Sequence, residues 1–143
     1  MIIGVGSDHK GFKLKEEALS YLQIWGFDVK DFGTTDEEIC DYPKYAYLVS
    51  KAVSSGKIAR GILISETGMG MSIVANKIKG VRAAYCTDWK EARMSRELYS
   101  SNVLCIGEDT DISLIMEVWL GTEFNAEQHG GQINVISQIE DSE

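Results

Sequence analysis

The chain has 143 residues, 44% hydrophobic and 25% charged, with 14 glycines and a single proline, which is one domain with enough apolar material for a core. Fourteen basic against 22 acidic residues give a net charge of −8, which argues against nucleic acid or an anionic membrane surface as a partner. No apolar run reaches the roughly 20 residues of a membrane span, and Met1 opens directly into a strand-like run, so a cytoplasmic protein is expected.

Ile2 to Gly6 reads as a short strand that runs into Ser7-Asp8-His9. From Lys13 to Trp25 the period becomes helical, with Leu14, Ala18, Leu22 and Trp25 on one face and Gly26 placed to end the helix. Phe27 to Phe32 reads as a second strand, followed by a turn at Gly33-Thr34-Thr35. Asp41-Tyr42-Pro43 suits a helix start, and Tyr45, Leu48, Val49 and Ala52 then repeat at helical spacing up to Ser54-Ser55-Gly56. Gly61 to Ile64 is a third strand, and Met71 to Lys77 a helix that emerges from the loop between them. Val81 to Cys86, Trp89 to Tyr99, Val103 to Ile106 and Ile112 to Leu120 continue the alternation of strand and helix. Beyond Asn125, Ile133, Ile136 and Ile139 keep a weak helical spacing before an acidic tail.

Five strands alternating with helices predict βαβ units and a five-stranded parallel sheet covered on both faces. A ligand crevice is then expected beyond the carboxyl ends of the strands. Cys40, Cys86 and Cys105 are odd in number and lack metal-binding spacing, so Cys86 and Cys105 read as small buried thiols. Two histidines, His9 and His129, leave little material for a metal centre.

Two loops carry the chemistry. Gly6-Ser7-Asp8-His9-Lys10-Gly11 lacks the third glycine of a dinucleotide fingerprint and the Lys-Ser/Thr of a P-loop. What is left is an Asp-His pair at a strand end, or a turn in which Asp8 caps a helix and His9 is solvated. Ser65-Glu66-Thr67-Gly68-Met69-Gly70-Met71-Ser72 leaves a strand and enters a helix, so its backbone N–H groups can converge on an anion. The alternative is a glycine-rich turn that only connects.

These segments, with Asp31-Phe32-Gly33-Thr34, Gly61-Ile62-Leu63-Ile64, Ala75-Asn76-Lys77 and Gly80-Val81-Arg82-Ala83-Ala84, resemble the type B ribose-5-phosphate isomerases, a family that includes galactose-6-phosphate isomerase subunits. The match is strong over residues 1 to about 107 and thins towards the C-terminus. It implies an α/β fold: a single Rossmann-like three-layer α/β/α sandwich, assembled as a homodimer or homotetramer with sites between subunits. Residues 1–124 would form the isomerase domain, and 125–143 a helical tail packed on a partner subunit. The implied reaction is aldose–ketose isomerisation of a sugar or sugar phosphate through an enediolate, with no metal or other cofactor. Asp8 and His9 match the family's substrate-contacting pair, and Thr67, Gly68, Met69 and Gly70 its anion hole.

The departures are as informative. Ser65 stands where many members place a Cys base, and Glu66 where a glycine is usual. A carboxylate raised by desolvation can take a proton, which makes Glu66 the favoured base with Ser65 assisting. The alternative for Glu66 is an exposed surface glutamate. Leu98 and Tyr99 stand where the family has its ring-opening histidine and the asparagine after it. Asp109, Gln128 and Gln132 replace its phosphate-binding arginines, while His129 is kept. Tyr99 and His129 are therefore substrate-binding candidates, and Lys10, Lys77, Arg82 or Arg93 could replace the lost cations. A non-catalytic or half-site subunit of a hetero-oligomer, or an isomerase of an unphosphorylated sugar, stays open beside the sugar-phosphate isomerase.

Overall fold

The computed structural model describes residues 1–143. Eleven elements follow one another: β1 (Ile2–Ser7), α1 (Phe12–Ile24), β2 (Asp28–Gly33), α2 (Tyr42–Ser54), β3 (Arg60–Ser65), α3 (Met69–Ala75), β4 (Ala83–Tyr85), α4 (Trp89–Glu97), β5 (Val103–Gly107), α5 (Ile112–Gly121) and α6 (Ala126–Asp141). All strand pairs are parallel, and the sheet order is β2-β1-β3-β5-β4. The predicted fold class is found.

Two cores sandwich the sheet. On one face Ile3, Val5, Ile62, Ile64, Leu104 and Ile106 meet Ala18 and Leu22 of α1, Ala92 of α4, and Ile115, Met116 and Trp119 of α5. On the other, Leu63, Val103 and Cys105 meet Ala46, Val49 and Val53 of α2, and Met71 and Ala75 of α3. Strands in this sheet are buried on both faces, which is why β3 and β5 read as unbroken apolar runs.

The buried face of α2 differs from the predicted one. Ala46, Val49, Ser50, Ala52 and Val53 are buried, while Tyr45 is half-buried and Leu48 exposed. The sheet explains the rotation, because Gly6 and Gly61 present no side chain beneath α2. Val49 fills that space so closely that a Cβ at either glycine would collide with it. In α1 the buried residues are Lys15, Ala18 and Leu22, with Leu14 and Trp25 only half-buried. Lys15 is tolerated inside because its Nζ donates to both Asp31 oxygens at 2.9 and 2.8 Å and to Glu16 at 3.0 Å.

Chain direction across the sheet reverses at β1: β2 lies to one side, while β3 and all later strands lie to the other. The loops after β1 and β3 therefore leave towards opposite layers, α1 and α3, and a crevice opens between them. No helix is long and apolar enough to cross a membrane.

Candidate active site

Register fixes the first pair of site residues. Ser7 pairs with Ile64, so Asp8, just past β1, and Ser65, the last residue of β3, lie at the carboxyl ends of neighbouring strands. Asp8 is 8% exposed, and its Oδ1 accepts a hydrogen bond from the Gly11 N–H at 2.9 Å. Asp8 is not the cap of α1, whose N-cap is Gly11 with no side-chain partner; its carboxylate ties the turn ahead of the helix and lines the crevice. His9 Nδ1 accepts from the Cys40 N–H at 3.2 Å, which leaves the ring proton on Nε2 as a donor. The Cys40 Sγ lies 3.8 Å from the same nitrogen.

The loop after β3 is built around its own amides. Ser65 is buried, and its Oγ accepts from the Gly68 N–H at 2.9 Å, so the hydroxyl proton remains available to donate. Gly68 adopts φ +83°, a left-handed conformation that suits glycine. Thr67 Oγ1 accepts from the Met69 N–H at 3.2 Å. The N–H groups of Glu66, Thr67, Gly70 and Met71 donate to no protein acceptor. Three of these, at Glu66, Thr67 and Gly70, belong to residues that line a cavity and can take an anion, whereas Met71 is fully buried.

A shallow cavity of about 190 Å³ lies between the two loops, lined by Asp8, Tyr42, Ser65, Glu66, Thr67 and Gly70. Tyr42 is a site residue to which sequence reasoning gave no substrate role. A Cβ on Gly70 would fall 2.7 Å from the Tyr42 ring, so the missing side chain is what lets the aromatic ring lie against the loop. The signal was present in the Asp41-Tyr42-Pro43 motif, but only the fold brings α2 over α3. Larger hollows elsewhere, such as the one lined by Trp25, Phe27, Leu120 and Gly121, hold no comparable set of polar groups.

Glu66 is found at the cavity but not desolvated as expected. Its side chain is 54% exposed, and Oε2 sits 2.9 Å from the Lys10 Nζ. The loop projects from the sheet edge and leaves this carboxylate open to solvent. Of the four cations considered as substitutes, Lys10 alone pairs with a pocket residue. Arg93 pairs with Glu97. Lys77 follows α3 at the amino edge of the sheet, where Arg82 donates to the Ser100 carbonyl.

The other two substrate-binding candidates stand apart. α4 runs against the strands, and Tyr99 follows its end, lining a depression with Tyr85, Met94 and Ser95. His129 sits in the first turns of α6, whose start is tied to α4 by the Asn125 N–H to Glu97 carbonyl bond. The other end of α6 reaches Gly80 and Lys79, just before β4. Within one chain, Tyr99 and His129 thus lie towards the amino edge, opposite Asp8 and Ser65.

The free-amide loop beside Asp8 and His9 occurs here in a chain that matches known isomerases over nearly its whole length. The Ribose/Galactose Isomerase family profile matches residues 3–136. The chain belongs to the ribose/galactose isomerase family. It is 39% identical over 142 residues to ribose-5-phosphate isomerase B of Escherichia coli strain K12, covering 96% of this chain and 95% of that one. A structure of Clostridium thermocellum ribose-5-phosphate isomerase B superposes with a TM-score of 0.95 at 44% identity, covering 99% of each chain. The type B ribose 5-phosphate isomerase of Trypanosoma cruzi gives a TM-score of 0.95 at 35% identity, covering 100% of each. As a member of the ribose/galactose isomerase family, the protein is an enzyme that interconverts aldose and ketose sugars.

Proposed function

We propose that the protein converts an aldose phosphate to its ketose, ribose 5-phosphate to ribulose 5-phosphate in the first instance, in the cavity between the β1–α1 and β3–α3 loops. The observation that carries this reading is the set of three free amides, at Glu66, Thr67 and Gly70, beside a single ion-paired carboxylate, Glu66, and a donor-ready hydroxyl, Ser65. Glu66 takes the proton from C2 of the open-chain aldose and returns it to C1, while the proton of the C2 hydroxyl passes to the C1 oxygen, which leaves the carbonyl at C2. Charge that develops on the enediolate oxygen is met by the free N–H groups of Thr67 and Gly70, since those of Gly68 and Met69 are held by Ser65 and Thr67, and preorganised donors are worth about 3–4 kcal/mol each. Ser65 donates to the same oxygen. Asp8 and the His9 Nε2–H hold sugar hydroxyls, and Tyr42 closes the wall.

Tyr99 and His129 enter the site only from a second copy of the chain, so the working unit in this reading is a homodimer or homotetramer. The α6 tail then packs across the partner, as a helix with no buried residue of its own needs.

The test is turnover of ribose 5-phosphate by the purified protein, followed as ketose formation. Glu66→Gln should lower kcat by about a hundredfold or more with KM nearly unchanged. Ser65→Ala should cost less, about tenfold, as the loss of one hydrogen bond to the enediolate. Full turnover by Glu66→Gln together with a dead Ser65→Ala would return the base role to position 65. The half-site reading wins if the protein is silent alone and becomes active only with a homologous chain carrying the histidine and arginines.

A further inference from the structure

Lys10 and Glu66 belong to different loops, 56 positions apart in sequence, and their side chains meet at the mouth of the cavity with Nζ to Oε2 at 2.9 Å. The surroundings of this pair are acidic. Asp8 lines the same cavity, and Glu108 is drawn to the loop by its N–H, which donates to the Glu66 carbonyl at 3.1 Å. Lys10 faces all three carboxylates, Glu66 first, then Glu108 and Asp8, and their pull holds its ammonium above the usual lysine range. The other nearby basic side chains are engaged elsewhere: Lys15 is inside the fold with Asp31, and Lys13 points to Glu37. A lone cation among three carboxylates, bonded to one of them, therefore sets where the Glu66 carboxylate is held.

We infer that Lys10 is a positioning residue for the isomerase, which holds the Glu66 carboxylate over the cavity through an ion pair that joins the two loops. This rests on the reading of Glu66 as the base. The physical reason is differential interaction: a neighbouring cation favours the charged carboxylate, and two neighbouring anions disfavour it. The pair also ties the β1–α1 loop to the β3–α3 loop, so that the base and Asp8 approach the sugar in one fixed relation.

The experiment is the pH profile of kcat/KM for ribose 5-phosphate. Lys10→Met removes the charge and keeps the length. Its acidic limb should move to higher pH by about half a unit, the scale of a solvent-exposed ion pair, and its plateau kcat should fall several-fold. Lys10→Arg should restore the limb, because it returns the charge. Glu108→Gln should move the limb the other way, to lower pH, by removing one of the opposing anions.

A Lys10→Met profile that superposes on the wild type, while Glu66→Gln remains inactive, overturns the role of Lys10 and leaves the base reading standing. Full turnover by Glu66→Gln overturns both. If Lys10→Met does not fold, Glu108→Gln decides: an unmoved limb rejects the inference, and a limb moved to lower pH supports it.

Discussion

Gly68 carries two demands at one residue. Its φ of +83° lies where L side chains are strained, and a Cβ there would fall 2.8 Å from the Ile106 carbonyl carbon and 3.1 Å from the Gly107 nitrogen. Both obstacles are backbone and neither can rotate away. Gly68→Ala should therefore cost about 2–3 kcal/mol in urea melts and displace the amides that face the enediolate, with a matching loss of kcat. The thiols differ as sharply. Burial pushes Cys86 up to about 11, and Cys105 is pushed higher still, whereas Cys40 stands half-buried beside His9. A native thiol titration at pH 8 should find one reactive cysteine, with the other two released only on unfolding. Folded Cys86 holds its proton above the pH at which an unfolded thiol has lost it. Its contribution to stability is thus complete below about pH 9 and declines as pH rises towards 11, which alkaline melts will show.

At the scale of elements, the end of β2 is held by a charge that helix α1 carries into the interior. The Lys15 side chain is fully buried, whereas Asp31 is 42% exposed and also accepts from the Gly33 N–H at 2.8 Å. The next residue, Thr34, donates its N–H to the Ser7 carbonyl at 2.8 Å, directly before Asp8. The two partners should not be equivalent on mutation. Lys15→Met replaces a buried cation with a similar apolar volume and lets Asp31 face water, at a cost of about 1–2 kcal/mol. Asp31→Ala strands the cation with Glu16 alone and should cost more, about 2–4 kcal/mol. Denaturant midpoints of the two variants check the order. The helix ends show a related use of charge: the Arg96 guanidinium donates to the carbonyls of Ser101 and Thr122, and Arg60 to that of Trp119. The Trp119 and Thr122 carbonyls lie at the end of α5, where a helix presents unsatisfied carbonyls, while Ser101 lies in the segment before β5.

The whole molecule leaves apolar surface uncovered. Val135, Ile136 and Ile139 on α6 are 52%, 40% and 56% exposed. Trp89, Met94 and Tyr99, on α4 and just beyond it, are exposed as well. Light scattering should give twice the chain mass or more at micromolar concentration, as the proposed shared site requires. Ile136→Glu with Ile139→Glu should shift the protein to monomers and remove turnover together, because Tyr99 and His129 lie at the edge opposite Asp8 within each chain. A stable monomer of the unaltered chain with full activity would reject that assembly.

The amino-acid sequence by itself determined the order of elements, the parallel sheet and the two chemical loops. Its information was local: apolar runs in β1, β3 and β5, the helical spacing of α1, and glycines flanking polar residues at 65–72. The buried thiols of Cys86 and Cys105 were legible for the same reason, as small residues at the ends of apolar runs, although Cys105 proves to lie within β5 and Cys86 just after β4. What only the tertiary structure decided was set by contacts distant in the chain. The strand order, with β5 between β3 and β4, depends on crossovers that no single segment encodes. The rotation of α2 follows from bare glycines on two other strands. Lys15 is inside because Asp31 waits on β2, and its charge gave the opposite sequence signal. Tyr42 joins the site through Gly70, and Glu66 meets Lys10 across 56 positions. The separation of Tyr99 and His129 from Asp8 follows from the direction of α4, since a helix that returns against the strands delivers its last residue to the far edge of the sheet.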